Sequence, residues 1–168
     1  LEIPDAQQDL LKALVKTGKP VVLLLFTGRP LVLNWENEHV PAILNVWFGG
    51  SETGDAVADV LFGKVVPSGK LTTTFPRSVG QLPLFYNHLN TGRPDPDNRV
   101  FNRYASNYLD ESNEPLYPFG YGLSYTDFVY GDLQLSSETL PKNGTLTASV
   151  TVTNRGDCDG YETVQIYL

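Results

Sequence analysis

No methionine occurs in these 168 residues, not even at position 1, where the chain reads Leu1-Glu2-Ile3-Pro4. Translation starts on Met, so the sequence is read as a piece cut from a longer chain. Cysteine is almost absent as well: Cys158 stands alone, cannot close an internal disulfide, and leaves the redox compartment open. Cations are in deficit, with 12 Lys and Arg against 19 Asp and Glu for a formal charge of −7. A nucleic-acid partner needs a basic face that releases counterions, so that class is disfavoured. Long apolar runs are missing too. The longest, Val21 to Phe26, falls far short of the ~20 residues that span a bilayer, and no charged-then-apolar signal segment opens the chain. What remains is 41% hydrophobic and 11% aromatic, enough apolar surface to offset chain entropy and to exclude a disordered chain.

The first segment carries start and stop signals for a helix: Asp5 as N-cap with Gln8 three residues on, Leu10, Leu11, Leu14 and Val15 as its core face, and Gly18 at its end. Val21 to Phe26 then reads as a central parallel strand buried on both faces. Gly28-Arg29-Pro30 breaks it, a polar stretch runs from Asn34 to His39, and Ala42 to Phe48 repeats the buried-strand pattern. Gly49-Gly50-Ser51-Glu52-Thr53-Gly54-Asp55 follows, and Ala56, Val57, Val60 and Leu61 fall at helical spacing before Gly63. Strand, glycine-rich loop and helix repeat, which is the α/β signature. From Pro67 to Tyr125 prolines recur without sustained period, and only Leu71 to Phe75 reads as a strand. After Phe128 the pattern alternates: Leu133 and Leu135; Leu146, Ala148, Val150 and Val152; Val164, Ile166 and Leu168. Asn143-Gly144 and Arg155-Gly156 supply turns between these half-buried antiparallel strands. Three strands are too few for a sandwich of about seven, so this second domain is read as truncated.

The Gly49–Asp55 loop occupies the carboxyl end of a parallel strand and the start of a helix, where ligands of open α/β sheets bind. It lacks both the Lys-Ser/Thr pair of a P-loop and G-x-G-x-x-G, so the nucleotide readings fail. Glu52 is the candidate chemical group: a carboxylate here can donate a proton or accept sugar hydroxyls, the work of carboxylates in glycoside cleavage. Its competing role is to favour the helix start through the dipole. Ser51 and Thr53 beside it are the candidate substrate-binding residues. His39 and His88 have no Cys or acidic partner at metal-ligand spacing, so neither a metal nor a cofactor is expected. Gly122-Leu123-Ser124 lacks the register of a nucleophile elbow. Tyr117, Phe119, Tyr121, Tyr125 and Phe128 could stack on sugar rings, but at a domain boundary they read better as inter-domain packing. Asn143-Gly144-Thr145 matches a glycosylation sequon that a simple turn explains, and Cys158 reads as a surface turn residue.

One long ordered string carries a family resemblance: Thr17-Gly18-Lys19-Pro20-Val21-Val22, Gly28-Arg29-Pro30-Leu31, Ala42-Ile43-Leu44, Trp47-Phe48-Gly49-Gly50-Ser51-Glu52, Ala58-Asp59-Val60-Leu61-Phe62-Gly63, Pro67-Ser68-Gly69-Lys70-Leu71, Phe75 to Gln81, Asn87 to Pro94, and Tyr117 to Tyr125. It resembles the carboxyl-terminal part of glycoside hydrolase family 3, the bacterial periplasmic β-glucosidase type in particular. The resemblance implies an α/β sandwich with a mostly parallel sheet over residues 1–125, then the first strands of a fibronectin-III-like domain over 126–168. It implies a retaining β-glucosidase that removes non-reducing-end β-D-glucosyl residues from oligosaccharides in the periplasm or outside the cell. The nucleophile would be an Asp on an amino-terminal (β/α)8-like barrel of the same parent chain, so the fragment alone is expected to be inactive. In some branches the acid/base matches Glu52. In others, including the branch this chain resembles most, it lies upstream of Leu1 or on the barrel, and Glu52 becomes a loop residue on the aglycone side. Thr53 and Thr72 stand where the family usually has Gly and Pro. The competing class is a non-catalytic carbohydrate-binding or structural module.

Overall fold

The computed structural model describes residues 1–89, 91–94 and 103–167. Asn90 of the Asn87–Pro94 string, Pro96 of the proline-rich stretch and Leu168 of the last expected strand lie outside the described residues. The chain divides into two compact units, residues 1–54 with 70–121, and residues 55–69 with 122–168.

In the first unit, helix α1 (Asp5–Lys16) ends as the sequence predicts: Thr17 and Gly18 N–H groups donate to the Leu14 and Val15 carbonyls, and Gly18 turns the chain at φ +70°. Its start differs. Pro4 is the N-cap, its carbonyl accepts from the Gln7 and Gln8 N–H groups, and no side chain caps the helix. Asp5 is therefore the first helical residue, favourable to the dipole but past the capping position. The inward face is also narrower than expected: Leu11 is buried and Val15 half-buried, while Leu10 and Leu14 lie exposed.

Strands β1 (Val22–Leu25) and β2 (Ala42–Asn45) pair in parallel, with Leu23 opposite Ile43 and Leu25 opposite Asn45. Both are shorter than the apolar runs that contain them. Nor is either buried on both faces, because the sheet has two strands among the described residues and only Leu25 is fully buried. Between them the polar stretch Asn34–His39, to which the sequence reading assigned no element, forms the short helix α2. Helix α3 (Thr53–Leu61), which belongs to the second unit from residue 55 on, follows the loop after β2 in the chain and stops at Gly63, φ +75°.

Leu25, Leu33 and Phe75 form the core, packed by Leu23, Ile43, Trp47, Leu116 and Tyr117 among others. Phe75 and Leu33 retain 1% exposure each, and each contributes about 1.5–3 kcal/mol through its apolar burial. Leu71–Phe75 is not a strand. Its ends alone bond to the 117–121 segment: Leu71 N–H donates to the Tyr121 carbonyl at 2.7 Å, and Phe75 N–H to the Tyr117 carbonyl at 2.9 Å. The Phe75–Tyr117 pairing is a single antiparallel bridge. A 3-10 turn, Val79–Gln81, then buries Gln81 to 1% exposure. Its side-chain oxygen accepts from the Arg77 N–H at 2.6 Å, and its amide donates to the Ser112 and Glu114 carbonyls at 2.9 and 3.3 Å.

In the second unit, β3 (Phe128–Tyr130) pairs with β6 (Val152–Asn154), and β4 (Gln134–Leu135) with β5 (Ala148–Ser149), both antiparallel as the alternation predicts. Their side chains are mostly exposed rather than half-buried. Residues 161–167 carry no ladder, so the third expected strand does not form among the described residues. Gly144 N–H closes its turn on the Pro141 carbonyl at 2.9 Å. The second turn is organised by Asn154, whose oxygen accepts from Thr126 Oγ1 at 2.6 Å and Gly156 N–H at 3.0 Å. A methyl group at Gly156 would run into the Thr126 side chain, so glycine is required there. The Tyr125 hydroxyl reaches the Val60 carbonyl at 2.9 Å.

Candidate functional site

Parallel pairing sends the chain out of β1 and β2 at the same edge of the sheet, where α/β folds place their ligands. The two loops meet there. Val46 N–H donates to the Leu25 carbonyl at 2.9 Å, extending the ladder one step. After β1, Thr27 Oγ1 donates to the Arg29 carbonyl at 2.9 Å, which folds the Thr27–Arg29 turn. After β2, Trp47 adopts φ +57°, a left-handed conformation rare for a bulky side chain. Its ring packs on Phe75 at 6.0 Å between centroids, so core burial offsets a local strain of about 1–3 kcal/mol. With Trp47 turned inward, Phe48 points away: it is 80% exposed, with its ring edge on Gly28.

The next residues wind into α3. Thr53 Oγ1 donates to the Gly50 carbonyl at 2.6 Å, and Thr53 N–H meets the same oxygen at 3.2 Å. The Thr53 side chain consequently lies over Gly49, where a Cβ would overlap it. Thr53, expected as a substrate-binding residue, has its proton committed inside the loop. Ser51 and Glu52 are exposed at the crest of the loop, and the Glu52 carboxylate has no hydrogen bond or ion pair among the described residues. The structure thus brings the three predicted residues together at a strand end, with one carboxylate directed to solvent.

Behind the loop sits an anomaly. Asn45 ends β2 opposite Leu25 and follows Ile43 by two residues, so it shares the sheet face of that core row. Both polar atoms of its side chain are buried and unpartnered among the described residues, as is Gln8 Oε1, which forms no capping box.

Elsewhere in the first unit, an open groove of about 350 Å³ is lined by Asn37, Glu38, Arg77, Asp110 and Glu111 among others, and not by Ser51, Glu52 or Thr53. His39 stacks on Trp35 at 4.5 Å with its Nδ1 2.8 Å from the Trp35 carbonyl. Three members of the aromatic cluster have ring partners inside the first unit. Tyr117 meets Phe75 edge-on at 6.0 Å and stacks on Tyr121 at 5.2 Å, and Phe119 stacks on Tyr86 at 4.4 Å. The Tyr117 hydroxyl donates to Asn37 Oδ1 at 2.7 Å. Burial pushes the Tyr117 phenol above its ordinary pKa, reinforced by the Tyr121 and Glu36 charges. Cys158 is an exposed turn residue whose Sγ faces the Tyr125 carbonyl at 3.6 Å. Sequence reasoning missed the roles of Gln81 and Trp47. Nothing in their residue types announces a buried amide hub or a left-handed tryptophan, although both fall within the string that carries the resemblance.

No helix among the described residues is long and apolar enough to cross a membrane. The profile of the glycosyl hydrolase family 3 C-terminal domain matches residues 1–125. A periplasmic beta-glucosidase of Salmonella typhimurium is 56% identical over all of this chain, which covers 22% of that protein. A beta-xylosidase of Formosa agariphila is 46% identical over the whole chain, again with 22% of its own length covered. Among solved structures, the beta-glucosidase of Listeria innocua in complex with glucose superposes with a TM-score of 0.85 at 46% identity, over 95% of this chain and 22% of that one. The chain thus spans about a fifth of the length of the relatives it matches. With the profile covering most of its residues, it belongs to glycosyl hydrolase family 3 and carries that family's C-terminal domain.

Proposed function

We propose that this chain is the C-terminal portion of a retaining β-glucosidase, active in the periplasm or outside the cell, that removes non-reducing-end β-D-glucosyl residues from oligosaccharides. Residues 1–125 are read as an α/β sandwich domain with a mostly parallel sheet, and 126–168 as the first strands of a fibronectin-III-like domain. The extent of the family profile, the parallel β1–β2 pair and the later antiparallel pairs support that division. The natural partner is the (β/α)8-like barrel of the same parent chain, which supplies the Asp nucleophile. Large apolar side chains left open here, among them Leu10, Phe62 and Leu89, suit a segment that packs within a larger protein.

The observation that carries the site is Glu52, exposed at the carboxyl end of the parallel pair and unpartnered among the described residues. Retaining cleavage needs one carboxylate to attack the anomeric carbon and another to protonate the leaving oxygen and then activate water. Glu52 is the proton-handling group this segment offers, with Ser51 beside it for sugar hydroxyls and Thr53 Oγ1, its proton given to Gly50, as an acceptor only. In the full-length enzyme, Glu52→Gln should slow substrates with poor leaving groups by about 10²–10⁴-fold. Activated nitrophenyl glucosides should suffer far less, and azide should restore turnover. Equal losses on both substrate types would remove Glu52 from the role. The 168-residue chain alone should hydrolyse neither.

A further inference from the structure

We infer that Asn143 is a spontaneous modification site, at which the side-chain amide is lost and the backbone is rerouted through an isoaspartate. The inference is independent of what the parent protein cleaves. It starts from the Asn143-Gly144 pair in the turn between β4 and β5, a motif the proposed activity does not use. Both residues are exposed. No hydrogen bond ties the Asn143 side chain among the described residues, whereas those of Asn34, Asn37, Asn113 and Asn154 are all engaged. Glycine at 144 is imposed by the fold: a Cβ there would lie 2.9 Å from Cδ and 3.2 Å from Cγ of Pro141. The residue after the asparagine therefore has no side chain to crowd its amide. Asn87 is exposed too, but the side chain of His88 follows it and hinders the same approach.

Asparagine is among the thermolabile residues. Gly144 N, its proton given up to base, attacks Asn143 Cγ; that N–C bond forms as the Cγ–Nδ2 bond breaks and ammonia leaves. The resulting cyclic imide takes up water. Opening at one carbonyl gives an ordinary aspartate, and opening at the other leaves the chain running through the former side chain, one methylene longer. Water taken up and ammonia released balance the conversion, with no oxidant or reductant. The brake is the Gly144 N–H itself, which donates to the Pro141 carbonyl at 2.9 Å, so the reaction waits for the turn to open. The product cannot close it again, because the added methylene carries the N–H off that carbonyl and the new carboxylate adds a charge. The neighbouring bonds, Ser136 N–H to the Thr147 carbonyl at 2.9 Å and Thr147 N–H to Ser136 Oγ at 3.0 Å, join this loop to the Leu135–Ala148 pair, which loosens with it.

The test incubates the full-length protein at neutral and at mildly alkaline pH and maps its peptides by mass spectrometry. The peptide containing Asn143 should gain the mass difference between an amide and a carboxylic acid, faster at the higher pH, and should become a substrate for an isoaspartate-specific methyltransferase. The peptide containing Asn87 should stay unchanged, and Asn143→Gln should remove the product. Amides of residues 134–149 in the aged protein should exchange with solvent about two- to tenfold faster, the worth of one lost turn hydrogen bond. An Asn143 peptide that stays intact in the folded protein, a product that survives in Asn143→Gln, or aged protein with unchanged exchange would overturn the inference.

Discussion

Replacing Asn45 by leucine should stabilise the first unit. Asn45 sits in the core-facing row of β2, across from Leu25, with both side-chain polar atoms buried and unpaired among the described residues. An amide taken out of water without hydrogen bonds costs about 1–3 kcal/mol. Leucine has nearly the same size and shape, so the exchange removes that penalty without opening a cavity, and adds apolar contact to the row of Leu23, Leu25 and Ile43. The expected gain is about 1–2 kcal/mol, which slows hydrogen exchange at the β1 and β2 amides by a factor of about 5–30. Hydrogen-exchange mass spectrometry of the full-length protein, following peptides that contain Val22–Leu25 and Ala42–Asn45, measures this locally. Asn45→Asp provides the opposite control, since a buried unpaired carboxylate should accelerate exchange. If Asn45→Leu exchanges faster than wild type, the amide has a partner and the reasoning fails.

Gln81→Ala should loosen the 77–81 and 112–114 segments by about 2–4 kcal/mol, because it removes the hydrogen bonds to Arg77, Ser112 and Glu114 together and leaves a cavity. The same exchange experiment reads it, and Gln81→Glu should loosen the segments at least as much, because it turns a buried carboxylate oxygen onto the Ser112 and Glu114 carbonyls. Tyr117, held above its ordinary pKa chiefly by burial, keeps its proton in the folded protein after the unfolded chain has lost it. Its contribution is therefore full below about pH 10 and declines as pH rises through the folded pKa. Tyr117→Phe should flatten that alkaline decline in a urea-midpoint series, at the cost of the hydrogen bond to Asn37.

Local signals in the sequence found what local forces decide. Gly18 and Gly63 mark helix ends because only a residue without Cβ takes positive φ freely, and the runs around Val22–Leu25 and Ala42–Asn45 mark strands because they are apolar at every position but Asn45. The Glu52 loop was legible for the same reason: its glycines interrupt strand and helix patterns. What stayed hidden depends on distant partners. Helix α2 is six residues long, too short for periodicity, and is tied in by the Tyr117 hydroxyl 80 positions away. The Gln81 hub gathers carbonyls from 31 and 33 residues downstream. Leu10 and Leu14 share an apolar stripe with Leu11, yet only Leu11 of the three is buried, since periodicity gives the width of a stripe and not what covers it.

The Tyr125 hydroxyl and the Val60 carbonyl it reaches are 65 residues apart, within a unit assembled from 55–69 and 122–168. Neither unit is a continuous piece of chain, so a ribosome delivers both in instalments. Helix α3 leaves the exit tunnel long before the tyrosine that fastens it, and β1 and β2 precede the Leu71–Tyr121 bonds that close their core. Contacts of such sequence separation slow folding because loops must close before they are rewarded. A stop codon or protease cut just before Tyr125 would leave α3 translated but without the hydroxyl that reaches its Val60 carbonyl.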